Sequence, residues 1–535
     1  MMTLPSAPRL LIVAAVALGG HSLGAQAKPA VPPVPPKLVV FITIDQMRYD
    51  YLERFAKDYT AGLARLDKGA VYTNAYQDHA NSETAPGHAT TLSGREPWKT
   101  GIVLNDIGVP DASAPLIETH TGQQGASPYR FRGSTFIDWL RLKDQRSHAL
   151  SVSRKDRGAI LPLGRAHESV YWYALDGRFT TSRFYADTLP TWVNRFNERR
   201  LPQSFAGRAW TPLLPPDRYP EPDTIAYEDM QHATREVAFP HRLSARPDSA
   251  ARDLVNFPWM DEVTVALALE GVSALSLGAG PQTDLLAISL STTDAVGHRF
   301  GAQSREVHDN MLRLDRTLGV LIDSLYRMRD SSSIVFALTA DHGIAMPPEA
   351  LPVRRGELPH ERADLSALAA TFRRALGVDS ATLFFTDGIL FLDPRDLARR
   401  HISRDSVAEA FAHDARRQPG VLRADLTRRM LRADTLNDPV ARRWRHALPL
   451  DIPAAVVVTL RQGSMWVRTR TASHISPYDD DTHVPLLFYG PGIAPGRYGE
   501  FARVVDMAPT LAWLADVTPS EALDGHVLRK ALKTP

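Results

Sequence analysis

The sequence predicts an α/β protein with a mostly parallel central sheet that is flanked by helices and carries inserted cap elements. Short apolar, β-branched runs recur along the chain, as expected of strands buried on both faces of a parallel sheet. Helical periodicity lies between some of these runs, and polar residues follow the runs directly. Because ligands in open α/β sheets bind beyond the carboxyl ends of the strands, these polar residues are candidate site residues.

Length and composition narrow the class of protein. The chain has 535 residues, of which 44% are hydrophobic and 23% charged, so it is long enough to bury a large globular core. The net charge of +2 argues against a general nucleic-acid or membrane-surface binder, because neither sign dominates. The absence of cysteine excludes disulfides and thiolate metal sites, so a tight metal site must use histidines and carboxylates.

The N-terminus has the order of a secretory signal peptide. Arg9 precedes an apolar run from Leu10 to Gly20, and Ala25-Gln26-Ala27 gives a small-x-small cleavage motif. The run is too short to span a bilayer comfortably, and no cysteine follows it to carry a lipid. We therefore expect residues 1–27 to be removed and the protein to be secreted without a stable membrane anchor. The expected location is the periplasm if the source is a Gram-negative bacterium.

Four apolar runs predict strands of the sheet, and they span residues 38–44, 284–290, 333–339 and 485–489. Residues 306–328 have the spacing of a crossover helix, and residues 261–275 and 504–514 also favour helices. This alternation of apolar strands and helices is missing from residues of about 185 to 253 and of about 354 to 482. We expect them to be insertions that decorate a single catalytic domain spanning residues 28–535.

The predicted strand ends bring together three carboxylates and three imidazoles, a set that suits zinc or a similar divalent metal. These residues are Asp45, Asp294, His298, Asp341, His342 and His483. Asp294 and His298 are four positions apart, so they share one face if the segment is helical or lie across a tight loop if it is not. Taken singly, each residue has an ordinary interpretation as a helix cap or a satisfied polar group.

Thr84 is followed by small and turn-forming residues and then by a run that could begin a helix. Backbone N–H groups and the helix dipole at such a position favour an anion such as phosphate. The ordinary alternative is that Thr84 is only an N-cap. His88, in the same stretch, is interpreted as structural support for the turn.

Taken together, these residues resemble the alkaline phosphatase superfamily, and more narrowly its phosphodiesterase/nucleotide-pyrophosphatase branch, which includes the PafA-type alkaline phosphatases. The resemblance runs from Asp45 to Thr510, essentially the whole mature chain. It implies an alkaline phosphatase-like fold and two Zn²⁺ ions per chain. One ion would be held by Asp45, Thr84, Asp341 and His342, and the other by Asp294, His298 and His483.

The resemblance also makes Thr84 the nucleophile, which would form a covalent phosphothreonine. A free threonine hydroxyl is a poor nucleophile near neutral pH, and coordination to a metal favours its alkoxide. Two zinc ions roughly 4 Å apart stabilise both the attacking and the leaving oxygen of an in-line phosphoryl displacement.

Three further residues are expected to contact the phosphate. Asn105 matches the asparagine that donates to a phosphate oxygen in this branch, although a turn residue is its ordinary interpretation. Lys155 and Arg157 match a Lys-x-Arg pair that the resemblance assigns to monoesterases and not to diesterases. Alternate residues of an extended chain point the same way, so the two cations could converge on one anion. A solvated charge run is the other interpretation.

The expected function is an exported two-zinc alkaline phosphatase that acts on small-molecule phosphate monoesters. A phosphodiesterase or nucleotide pyrophosphatase with the same metal site is the nearer alternative. A catalytically silent metal- or phosphate-binding protein is a second one. A sulfatase is disfavoured because its formylglycine nucleophile is usually made from cysteine. The sequence indicates no nucleic-acid partner and does not define an oligomeric state.

Overall fold

The fold is described from a computed structural model, which covers residues 34–228, 237–430, 432–467 and 471–533. The expected signal peptide, residues 1–27, lies outside these ranges. Within them, every helix is too short or too polar to cross a bilayer.

A nine-stranded sheet forms the centre of the molecule, and a separate four-stranded sheet lies within the second insertion. The strands of the central sheet are β1 (Leu38–Ile44), β2 (Ala70–Tyr72), β3 (Ala149–Ser153), β4 (Ser169–Ala174), β5 (Arg178–Thr180), β6 (Asp284–Leu290), β7 (Ile334–Thr339), β12 (Leu486–Tyr489) and β13 (Gly496–Tyr498). The strands of the second sheet are β8 (Leu383–Thr386), β9 (Ile389–Leu392), β10 (Val421–Leu426) and β11 (Ala454–Leu460). All four strands expected from apolar runs are therefore present.

The central sheet has the strand order β13-β2-β12-β7-β1-β6-β3-β4-β5. Five consecutive strands, from β7 to β4, are parallel, whereas β12 is antiparallel to both of its neighbours and β5 is antiparallel to β4. All residues of β1, β6 and β7 are buried, as their continuous apolar sequences require. The expected mostly parallel sheet of an alkaline phosphatase-like fold is confirmed.

Among the described residues, ten α-helices of eight or more residues surround the two sheets. They are α1 (Thr84–Thr91), α2 (Phe136–Lys143), α3 (Thr191–Glu198), α4 (Trp259–Ala274), α5 (Thr292–Phe300), α6 (Arg305–Met328), α7 (Ser366–Leu376), α8 (Arg404–Ala415), α9 (Pro439–Ala447) and α10 (Met507–Leu514). Shorter α-helices span Tyr51–Arg54, Gly62–Leu66, Pro97–Thr100, Asp156–Ile160, Pro247–Asp253, Pro394–Arg399, Thr427–Met430 and Asp479–Thr482.

Helix α6 is the crossover helix expected from the apolar spacing, and α4 is the helix expected over residues 261–275. α4 packs against β3 and β6 and against α6, while α2 packs against β6 and α10. The hydroxyl of Ser304 caps α6 by accepting the N–H of Val307. Apolar side chains of both helices join one large core with the sheet, so the carboxyl edge of the sheet is held rigidly.

The first expected insertion, from about residue 185 to 253, is hydrogen-bonded to α6 through Asp309. Its carboxylate accepts the indole N–H of Trp210 at 2.6 Å, the backbone N–H of Leu213 at 2.6 Å and the hydroxyl of Tyr219 at 2.7 Å. Because Asp309 is fully buried, these charge-assisted bonds are strong. These bonds attach the first insertion directly to α6, the helix that follows α5 in the chain.

The second insertion has a hydrophobic cluster of its own around the antiparallel order β8-β9-β11-β10. A further apolar cluster joins it to the core, where Val103 and Leu104 pack with Met430 and Trp444. This cluster also contains Ala80, whose N–H donates to the carbonyl of Arg443 at 3.0 Å. The insertion therefore contacts the loops on both sides of Thr84.

Candidate active site

The parallel pairing of β1 with β6 and β7 brings three strand ends to one edge. Ile44 lies opposite Leu290, and Thr43 lies opposite Thr339. Asp45 follows β1, helix α5 begins two residues after β6, and Asp341 and His342 follow β7 after one alanine. The strand ends that the sequence marked are thus next to one another, as expected at the carboxyl edge of a parallel sheet.

Asp45, Thr84, Asp341 and His342 form what we call the first cluster. Nε2 of His342 lies 3.6 Å from a carboxylate oxygen of Asp45 and 3.6 Å from one of Asp341. The hydroxyl oxygen of Thr84 lies 3.4 Å from the same nitrogen. All four side chains are buried. The four residues expected to hold one metal therefore converge.

Asp294, His298 and His474 form what we call the second cluster. The first two share one face of α5, and Nε2 of His298 lies 3.2 Å from Oδ1 of Asp294. The ring of His474 stacks on that of His342 at a centroid distance of 3.8 Å and lies 5.1 Å from that of His298. Asp294, His342 and His474 present possible ligand atoms within 4.8 Å of one another.

The expectation that His483 completes the second group is wrong. Its ring is stacked between Tyr49 and Tyr76, at centroid distances of 4.6 and 4.8 Å, and its Nε2 hydrogen-bonds to the carbonyl of Thr73 at 3.1 Å. The two tyrosine rings and this hydrogen bond thus give the imidazole of His483 a structural role in packing the surrounding loops. His474, nine residues earlier, occupies the position next to Asp294.

Helix α1 begins at Thr84, and the N-cap position is taken by Glu83, so Thr84 is not the cap. A Cβ atom on Gly87 would overlap the backbone of Asp341, which shows how closely the helix approaches that residue. Nδ1 of His88 lies 2.9 Å from the carbonyl of Thr84 and 3.1 Å from the carboxylate of Asp341. These contacts fix the Thr84 hydroxyl against the first cluster.

Lys155 reaches the centre of the site. Its ammonium nitrogen lies 2.6 Å from Asp45, 2.8 Å from Asp294 and 3.3 Å from the Thr84 hydroxyl. It therefore contacts both clusters, and a fully solvated charge run is excluded for this residue.

The extended-chain geometry expected for Lys155 and Arg157 is wrong. A short helix begins at Asp156, with Lys155 as its N-cap and Arg157 in its first turn. The side chain of Arg157 is 26% exposed, and its buried Nε has no hydrogen-bond partner among the described residues. The guanidinium therefore keeps a donor free for an anion, and it leaves the backbone from the first turn of the helix instead of from an extended segment.

Asn105 is held beside the start of α1. Its side-chain oxygen accepts the N–H of Ala85 at 2.8 Å, and its own N–H donates to the carboxylate of Glu83 at 2.7 Å. These two bonds orient the side chain and leave its NH₂ group as the available donor. Asn105 is thus more than a turn residue, because it is bonded on both sides of Thr84.

The buried acids make the site strongly attractive to cations. Burial, together with the charges of Asp294 and Asp341, raises the pKa of Asp45 to about 6. Burial would also raise the pKa of Asp294, but Lys155 and His298 hold it well below its usual range. A divalent cation would relieve the repulsion that raises the pKa of Asp45.

The donor set fits zinc. Carboxylate oxygens and imidazole nitrogens are ordinary zinc ligands, and the chain has no thiolates. Nδ1 of His342 is bonded to the carbonyl of Gly343 at 2.9 Å, and Nδ1 of His298 to that of Ala472 at 2.8 Å. Such bonds direct the opposite nitrogen of each ring towards a metal.

Two contributors besides His474 were not foreseen from the sequence. Gln46, with a positive φ of 68°, donates its N–H to Asp341 and its side-chain amide to Asp294, both at 3.0 Å. Arg154 lies 3.6 Å from Asp294. The position of Gln46 directly after Asp45 was a usable signal for a supporting role, since strand-end neighbours share the site edge.

Comparisons with known proteins identify the family of the chain. The family model for type I phosphodiesterase / nucleotide pyrophosphatase matches residues 39–355. Alkaline phosphatase PhoV of Synechococcus elongatus is 31% identical over 93% of each chain. Alkaline phosphatase PafA of Elizabethkingia meningoseptica is 29% identical over 94% of this chain and 95% of its own.

The structural agreement is equally extensive. The crystal structure of alkaline phosphatase PafA matches with a TM-score of 0.85 at 27% identity, covering 94% of this chain and 100% of the other. A PafA variant substituted at one threonine, one asparagine, one lysine and one arginine matches with a TM-score of 0.86 at 26% identity, with the same coverage. The chain therefore belongs to the type I phosphodiesterase/nucleotide pyrophosphatase family and, within it, is an alkaline phosphatase.

Proposed function

We propose that this alkaline phosphatase is exported, binds two Zn²⁺ ions per chain and hydrolyses phosphate monoesters through a covalent phosphothreonine at Thr84. The observation that carries the proposal is the position of the Thr84 hydroxyl, within 3.4 Å of His342 and 3.3 Å of Lys155 in a buried group of carboxylates and imidazoles. The substituted PafA variant supports it, because its four altered residue types are those of Thr84, Asn105, Lys155 and Arg157.

Seven residues are proposed to hold the two metals. One ion is assigned to Asp45, Thr84, Asp341 and His342, and the other to Asp294, His298 and His474. When bound, zinc favours the deprotonated form of the threonine hydroxyl and stabilises negative charge on the attacking and leaving oxygens.

The side chains of the protein have separate roles in the reaction. Oγ of Thr84 loses its proton and forms a bond to phosphorus while the bond from phosphorus to the ester oxygen breaks, and that oxygen takes up a proton from solvent as the alcohol leaves. Water next attacks phosphorus while the bond from phosphorus to Oγ breaks; inorganic phosphate leaves, and Oγ takes up a proton given by the attacking water, which restores Thr84. The NH₂ group of Asn105 and the cations of Lys155 and Arg157 donate to the nonbridging oxygens. Charge-assisted donors suit the second negative charge of a monoester.

Export rests on the N-terminal pattern, since Arg9, the apolar run and Ala25-Gln26-Ala27 have the order of a signal peptide. We place the mature enzyme in the periplasm if the source is a Gram-negative bacterium. N-terminal sequencing of the protein secreted by a Gram-negative host tests this assignment, and an intact Met1 would contradict it.

Phosphodiesterase activity is the second candidate, because the matching family model carries that description. Rates on p-nitrophenyl phosphate and bis-p-nitrophenyl phosphate distinguish the two activities. We expect the monoester to be hydrolysed faster, and a strong preference for the diester would overturn the monoesterase assignment.

Substitution of Thr84 tests the mechanism. Thr84→Ala is expected to lower kcat/KM for the monoester by at least about 10³-fold, the order of loss when a covalent nucleophile is removed. A chelator should abolish wild-type activity, and added zinc should restore it. Full activity in Thr84→Ala would refute the covalent mechanism. Zinc stoichiometry measured on the same variant separates lost chemistry from a lost metal.

A further inference from the structure

Residues 472–476, which carry His474, are bonded to four different parts of the chain. The carbonyl of Ala472 is bonded to His298, and the carbonyl of Ser473 accepts the N–H of Ala345 at 3.2 Å. The N–H of Ser476 donates to the buried carboxylate of Asp481 at 2.8 Å. The fourth part is the loop that precedes Thr84.

Ser82 makes the connection to that loop through a reciprocal pair of hydrogen bonds. Its hydroxyl oxygen accepts the N–H of Ile475 at 3.1 Å, and the hydroxyl donates to the carbonyl of Ser476 at 3.2 Å. Ser82 is fully buried, so water does not compete for these bonds. The side chain of Ser82 thus pairs with the backbone N–H of Ile475 and the backbone carbonyl of Ser476, the two residues that follow His474.

The backbone at Ile475 needs such support. Its φ is 86°, in the left-handed region that β-branched residues rarely adopt. A strained conformation of this kind persists only when its surroundings over-determine it. The bond from Ile475 N–H to Ser82 acts directly at the strained residue.

We propose that Ser82 is a positioning residue that holds the imidazole of His474 against the second cluster and couples this ligand to the nucleophile loop. This inference rests on the proposed function, because it takes His474 as a zinc ligand. Ser82 lies two residues before Thr84 and the Ile475 bond lies one residue after His474. The hydroxyl therefore joins the metal ligand that comes latest in the chain to the backbone of the nucleophile.

A zinc titration in competition with a chromophoric chelator tests the proposal. Ser82→Thr keeps the hydroxyl, whereas Ser82→Val has the same shape without it. We expect Ser82→Val to weaken one of the two zinc sites by about 10- to 100-fold, the usual effect of removing a group that orients a metal ligand. Ser82→Thr should bind both ions much as the wild type does.

Ser93→Ala is the matched control. Ser93 is also buried and donates to a backbone carbonyl, that of Ala89, but it makes no hydrogen bond to residues 472–476 within the described part of the chain. It should leave both zinc affinities unchanged. The activity of Ser82→Val should reach its plateau only at higher free zinc, a shift that a general loss of stability would not produce.

His474→Ala in the same titration separates the two proposals. If it removes one zinc site while Ser82→Val and Ser82→Thr bind zinc equally, the role of Ser82 is overturned and the metal assignment stands. If His474→Ala retains both sites, the assignment of His474 fails and the role of Ser82 fails with it. Melting curves of all variants show whether each one is folded.

Discussion

The two clusters of the candidate active site are built from different kinds of sequence. Every residue of the first cluster lies in the core, just after a strand or at the start of a helix, and all four occur by residue 342. The second cluster takes two residues from α5 and a third, His474, from the end of the second insertion. Strand-end patterns therefore predict the first cluster, whereas the second depends on contacts that are distant in sequence.

The largest expected effect separates His474 from His483. His474→Ala should lower kcat/KM by about 10³-fold, because a metal contributes several kcal/mol to transition-state stabilisation. His483→Ala removes the stacking between two tyrosines and the hydrogen bond to the carbonyl of Thr73, each worth about 1 kcal/mol of stability. Its kcat/KM should stay within about threefold of the wild type. Steady-state kinetics on p-nitrophenyl phosphate decide this, and the opposite ranking would mean that the second cluster is wrongly assigned.

The next effect concerns the cations between the clusters. Lys155→Ala should lower monoester kcat/KM by about 100-fold and Arg157→Ala by somewhat less, because charge-assisted bonds to the second anionic charge are lost. Diester turnover should fall much less, since a diester lacks that charge. Arg146→Ala, which removes an exposed pair with Asp144, is the control. Equal losses on both substrates would contradict a monoester-specific role.

The smallest expected effect concerns Asp261, which contacts the start of α5, the helix that carries Asp294 and His298. Asp261 is buried and accepts the N–H of Thr292 at the start of α5, and burial raises its pKa to about 7. Because the folded protein holds this proton more tightly than the unfolded chain, the stabilisation is complete below the ordinary pKa and is lost as pH rises to about 7.

Asp261→Asn should remove this dependence. Between about pH 5.5 and 7, wild-type stability should fall by about 2 kcal/mol relative to the variant, from a slope of about 1.4 kcal/mol per pH unit. Urea denaturation of both proteins at constant zinc measures the difference. A constant difference across this range would show that Asp261 does not titrate there.

Much of the core was predictable because burial leaves a direct mark on sequence. The runs at β1, β6 and β7 are continuous and apolar, and helix α6 was expected to within one residue. Once these strands are parallel neighbours, the meeting of Asp45 with Asp341 follows from topology. The prediction of an extended backbone from Lys155 to Arg157 was wrong, because a helix that begins one residue after Lys155 changes the direction of Arg157.

His474 could not be chosen over His483 by local pattern. His483 lies beside a strand, which made it the more attractive residue, but the path of residues 472–476 is set by bonds to His298, Ala345 and Ser82. These contacts join parts of the chain that are far apart in sequence. The second insertion was likewise identified only because it lacks the strand and helix pattern of the core.

The place of β12 in the sheet has a consequence for biosynthesis. β12 lies between β2 and β7, yet it follows the whole second insertion in the chain. As the polypeptide is synthesised from its N-terminus, the first cluster is made early, while the gap in the sheet stays open until β12 is made. A chain that ends before His474 therefore exposes unpaired strand edges and has an incomplete second cluster. Completion of the candidate site and protection of the sheet from aggregation are reached together, late in synthesis.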